Sequence, residues 1–149
     1  MNDKSKRVVI KEIDPEAYEA MYGFEKYLAK ADLEYSLKEL IKIRVSQING
    51  CAFCINLHTK DARAMGETEQ RIYALSAWRE TPFFNEIERA VLALAEEITC
   101  IHKGVSDETY QNVAKLLQTK TLAQTIMAII AINAWNRIAI TTHMQPALD

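Results

Sequence analysis

Glycine and proline are scarce, four and three among 149 residues. Turns are therefore few, and few turns between long periodic runs favour helices over many short strands. No run of about 18 apolar residues occurs, so no membrane-spanning helix is expected. The N-terminal stretch MNDKSKRVVIKEID carries charges without an apolar segment of signal-peptide length, and the expected location is the cytoplasm. An excess of one charge is also lacking. The net charge is −2 with mixed signs, and neither a basic stripe for nucleic acid nor an acidic tail is present. Cysteines number only three. In the cytosol a C-x-x-C pair points to redox chemistry or metal binding rather than to a structural staple.

What is present suits one globular domain over residues 1–149, with 49% apolar and 26% charged residues. Residues 1–13 read as an extended arm, with Val8, Val9 and Ile10 docking on the body. Asp14-Pro15 is a helix start, an N-cap acid followed by proline at the first helical position. Leu37, Ile41, Val45 and Ile48 predict a second helix from about Ser36, with one buried stripe. Asn49-Gly50 ends it, because both residues tolerate the left-handed conformation of a helix C-terminus.

A third helix is expected from the cysteines to Met65, closed by Gly66. Thr68 caps a fourth, and Trp78 to Phe84, containing Thr81-Pro82, reads as a loop. Asn85 with Glu88 forms a capping box for the next helix, and Ser106 caps a short one. Thr121 is the expected cap of the last. Its segment IMAIIAI, Ile126 to Ile132, is apolar on every face, which implies a central helix, a subunit contact, or both. Asn133, Asn136 and Arg137 interrupt it and call for hydrogen bonds between helices or subunits.

Cys51, Cys54 and His58 are spaced by three and four and share one helix face. At a helix start, free backbone N–H groups and the positive dipole end favour thiolate, the reactive form toward peroxides and disulfides. His58, one turn on, stabilises that thiolate or shuttles its proton. If the second and third helices form a hairpin about Asn49-Gly50, Glu39 lies roughly 15 Å from the turn and His58 roughly 12 Å, at about 1.5 Å per residue. A carboxylate at that height fixes the tautomer of the imidazole and raises its basicity.

The stretch LKELIKIRVSQINGCAFCINLHTKDARAMGETEQRIYAL carries a Glu, a C-x-x-C twelve residues on, and a His four after the second Cys. With WRETPFFNEIERAVLALAEEIT and NAWNRIAI, it resembles the AhpD-like alkylhydroperoxidase branch of the carboxymuconolactone decarboxylase superfamily over about residues 36 to 140. The resemblance implies an all-α, AhpD-like bundle of about six to seven helices that assembles as a trimer or hexamer. It implies peroxidase chemistry with an antioxidant role and no organic cofactor. Cys54 would attack a small hydroperoxide, Cys51 would resolve the sulfenic acid as a disulfide, and Glu39 with His58 would relay protons. A dithiol protein, lipoyl or thioredoxin-like, would restore the pair. Phe53 departs from the branch's best-known peroxidases, which carry a second His there, so the relay is shorter by one member.

Rival readings remain. The dithiol could serve as an adaptor relaying electrons between partner proteins. Zinc could take Cys51, Cys54 and His58, with Cys100 or His102 as fourth ligand. Cys100 otherwise reads as a small buried hydrophobe, and His143 as a solvated residue. Trp78, Phe83, Phe84 and Trp135 read as core or subunit contacts, with an apolar pocket over the thiols as the other use.

Overall fold

The computed structural model describes residues 6–149, so the first five residues of the expected arm lie outside it. The described residues hold eight α-helices and no strand: α1 (Ile10–Ile13), α2 (Pro15–Ala29), α3 (Tyr35–Asn49), α4 (Ala52–Ala64), α5 (Glu69–Ala74), α6 (Glu86–Thr99), α7 (Asp107–Leu116) and α8 (Thr119–Thr141). Short 3₁₀ segments follow α5 and α6. No helix among them is long and apolar enough to cross a membrane.

Local chemistry sets most boundaries. Asp14 accepts from the N–H of Ala17, with Pro15 behind it. Gly50 takes φ 70° and closes α3. Thr68 and Ser106 cap α5 and α7. Both halves of the Asn85–Glu88 capping box are made.

Some expectations need correction. The arm is not wholly extended: Ile10–Ile13 is a helical turn, and Val8 and Val9 are exposed rather than docked. The arm is tied instead by Arg7, which donates to the carbonyl of Thr141 at 2.7 Å. Trp78 belongs to a 3₁₀ segment, Leu75–Glu80, and only the residues beyond it are loop. The guanidinium groups of Arg79 and Arg89 lie over its indole, 4.1 and 5.3 Å from the ring centroid, and these contacts order the segment. Finally, α8 starts at Thr119, and Thr121 lies inside its first turn.

α3 lies between two apolar clusters. Leu37, Ile41 and Val45 pack with α6 and α8 residues such as Val91, Leu94 and Ile129. Leu40 and Ile43 pack with Ile72, Leu75, Trp78 and Leu92. The helix thus buries two faces rather than the single stripe expected, and the second burial carries Glu39 inside with it. α8 also runs through the centre, burying Ala128, Ile129, Ala131 and Ile132, while Met127 and Ile130 stay exposed.

The amides of α8 meet α3 and α6 as the sequence requires. The Asn49 Nδ2 donates to Asn133 Oδ1 at 3.0 Å and to Asn136 Oδ1 at 2.9 Å. Asn136 Nδ2 donates to Ser46 Oγ at 3.0 Å, and Asn133 Nδ2 to Thr99 Oγ1 at 3.1 Å. Arg137 is exposed and, among the described residues, bonds back to Asn133 of its own helix. Asn136 is fully buried, and the network pins the turn that delivers Cys51. Replacing it by leucine removes the acceptor for Asn49 and the donor to Ser46. We expect Asn136→Leu to cost about 2 kcal/mol in urea unfolding, from buried groups left without partners.

Candidate functional site

Cys51 is the N-cap of α4, and the backbone N–H of Cys54 donates to its sulfur at 3.3 Å. The turn is fixed from behind, because the N–H of Cys51 donates to the carbonyl of Ser46 at 3.0 Å. Cys51 and Cys54 are joined as a disulfide, their Cα atoms 5.4 Å apart. Both are buried, at 1% and 4% exposure. Cys54 nonetheless forms part of the wall of a cavity of about 360 Å³, so reactants have a route to it; Cys51 is not in that wall.

His58 shares the cavity, and its Nδ1 lies 3.2 Å from Glu39 Oε2. The hairpin expectation is met: α3 and α4 bring the two side chains to one height. An ionised carboxylate only accepts, so Nδ1 carries the proton and Nε2 is left as the acceptor. Glu39 is 1% exposed. Burial pushes its carboxyl up, but hydrogen bonds from His58 and from Lys42, the latter at 2.9 Å, outweigh that and hold it below the usual range.

Three features were not in the sequence reading. Lys42 neutralises Glu39 from one turn further along α3. Asp61 Oδ2 lies 3.9 Å from His58 Nδ1. Both sit three residues from the group they serve, a spacing that could have flagged them. The third is α2, whose Tyr18, Tyr22 and Glu25 form the outer cavity wall. Their rings pack edge-on, Tyr18 5.3 Å from Tyr22 and 5.4 Å from Trp135, and Trp135 Nε1 donates to Glu25 Oε1 at 2.9 Å. No local signal marks α2 as a wall, because its place depends on packing against α8.

The aromatic residues divide. Trp78 and Phe84 are core, Phe83 packs at the edge of that core, and Trp135 lines the cavity. Cys100 is only partly buried, since α6 ends at Thr99 and the chain turns outward, and His143 is exposed as expected. Neither Cys100 nor His102 joins the cysteine pair in a metal-ligand group. The group of that kind among the described residues is Glu39, His58 and Asp61.

The chain is similar to known proteins in sequence and in fold. The uncharacterized protein YdfG of Bacillus subtilis is 50% identical over 144 residues, covering 96% of this chain and 98% of its own. A protein of unknown function from Agrobacterium tumefaciens, provisionally described as the antioxidant defence protein AhpD, superposes with a TM-score of 0.93 at 36% identity, covering 97% of this chain and 99% of its own. An uncharacterized peroxidase-related protein from Silicibacter sp. TM1040 shares the fold, with a TM-score of 0.80 at 21% identity over 90% of this chain and 72% of that one. The sequence profile of one family matches residues 15–97, and that segment includes Glu39, both paired cysteines and His58. By that match, and by the half-identical relative spanning nearly all of it, this chain belongs to the carboxymuconolactone decarboxylase family.

Proposed function

We propose that this chain is a thiol-dependent, peroxidase-like oxidoreductase that cycles between the Cys51–Cys54 disulfide and the dithiol. The observation that carries the reading is Cys54 facing the cavity beside His58, itself hydrogen-bonded to the buried Glu39. In the reduced state Cys54 thiolate attacks the outer oxygen of a hydroperoxide. The O–O bond breaks, Cys54 becomes sulfenic acid, and the alcohol leaves with a proton relayed through His58. Cys51 then displaces water from the sulfenic acid and forms the disulfide. A dithiol donor of the lipoyl or thioredoxin-like type returns two electrons and two protons.

A cytoplasmic setting, where such a pair is kept reduced, belongs to the same proposal. So does a homo-oligomer, trimer or hexamer, for which the exposed Met127 and Ile130 of α8 offer an apolar face. Support for an antioxidant role comes from the description of the Agrobacterium protein.

The test is a thiol count. One equivalent of hydroperoxide should remove two thiols from the reduced protein and leave Cys100 free. Unchanged counts would sink the reading. A second reading, a dithiol adaptor, draws on Phe53, which packs against the core where a further proton carrier would stand. Fast exchange with a dithiol donor protein without loss of thiols to hydroperoxide would select it.

A further inference from the structure

The charges around the cavity are unbalanced. Glu25, Asp61 and Lys42 are in its wall, and Glu39 stands directly behind His58. Two carboxylates, Glu25 and Asp61, thus share the wall with one ammonium, Lys42. Lys42 is engaged with Glu39 at 2.9 Å and has no charge to spare for a ligand. Glu25 accepts from Trp135, an uncharged donor that leaves its negative charge intact. Lys38 donates to the carbonyl of the wall residue Leu28 at 2.9 Å and, like Glu39, is not in the wall. Glu25 and Asp61 against Lys42 leave the wall one negative charge in excess. Lys11 stands over the Tyr22 ring at 6.0 Å from its centroid, and is not part of the wall. The positive end of α4 is directed at Cys51 Sγ through the N–H of Cys54. The rest of the wall is apolar or aromatic, including Tyr18, Tyr22, Phe53, Trp135 and Met144.

We infer that the cavity admits small uncharged molecules with an apolar body and turns anions away from Cys54. Like charges in a partly desolvated space repel more strongly than in water, and salt screens them less. The inference rests on the dithiol reading of the site and names its substrate class: a neutral hydroperoxide, not one bearing a carboxylate.

A pair of alkylating reagents of nearly equal size tests the cavity without hydroperoxide chemistry. Reduced protein is treated with iodoacetamide or iodoacetate, and the rate at Cys54 is followed by peptide mass spectrometry beside N-acetylcysteinamide as an uncharged reference thiol. The amide-to-acetate rate ratio at Cys54 should exceed that of the reference about tenfold, the size expected for like charges in a low-dielectric site. The double variant Glu25→Gln, Asp61→Asn should bring the ratio most of the way back. A ratio equal to the reference overturns the inference, as does one tilted toward iodoacetate, which would make Lys42 an anion-binding group. A second arm compares a fatty-acid hydroperoxide with its methyl ester. Preference for the ester supports the inference, and equal rates at Cys54 overturn it. If neither compound oxidises the dithiol while the alkylation ratio holds, the peroxidase reading fails and the selectivity of the cavity stands.

Discussion

Replacing Cys54 by serine should abolish hydroperoxide consumption, whereas replacing Cys51 should leave a single stoichiometric turnover. The asymmetry follows from position. Cys54 is in the cavity wall and Cys51 is not, although both sulfurs belong to one turn at the start of α4. A serine hydroxyl is far less acidic than a thiol and forms no sulfenic acid, so no oxidised intermediate arises at that position. In Cys51→Ser the first step survives, but nothing displaces water from the sulfenic acid. Trapping that acid with dimedone, and reading the mass of the adduct, checks both halves. Labelling at Cys51 in Cys54→Ser, or no label at Cys54 in Cys51→Ser, would reverse the assigned roles.

Glu39→Gln should slow oxidation of Cys54 by about 100-fold, at the lower end of what a positioned proton-transfer system contributes. The glutamine is nearly isosteric and can still accept from His58. What is lost is the negative charge that holds the proton on Nδ1 and leaves Nε2 as the acceptor. Asp61→Asn is the control: its carboxylate is half-exposed and stands 3.9 Å away, so a smaller effect is expected. Stopped-flow tryptophan fluorescence suits the measurement, because Trp135 borders the same cavity. A rate for Glu39→Gln equal to wild type would remove Glu39 from the relay.

The same residue gives the fold a pH signature with a definite sign. The Glu39 carboxyl is held below its ordinary value because hydrogen bonds from His58 and Lys42 outweigh burial. A group with a depressed folded value binds protons more readily in the unfolded chain. Its contribution to stability is therefore complete above the unfolded value of about 4.3 and is lost as pH falls through the folded one. Denaturant unfolding of wild type and Glu39→Gln across that acidic window should show a shallower pH dependence in the variant.

Much of this was legible before any coordinates. The caps at Asp14, Thr68, Asn85 and Ser106, and the glycine stop at Gly50, are local devices whose hydrogen bonds close within a few residues. The i, i+3, i+4 spacing of Cys51, Cys54 and His58 is equally local. Even the meeting of Glu39 with His58 could be reckoned from rise per residue along two helices joined by a short turn. Misreadings arose where a cue was ambiguous. Thr121 and Gln118 compete for one helix start, and the polar flank of α3 hid its second buried face.

By itself, then, the sequence determined the helices, their ends, and the placing of two thiols and an imidazole on one face, since backbone geometry repeats every few residues. Tertiary packing alone decided that Glu39 is dry, that Lys42 answers its charge, and that α2 with Trp135 of α8 walls in Cys54. Those outcomes depend on which surfaces lose water and on distances between segments up to 110 residues apart, and no local period encodes either.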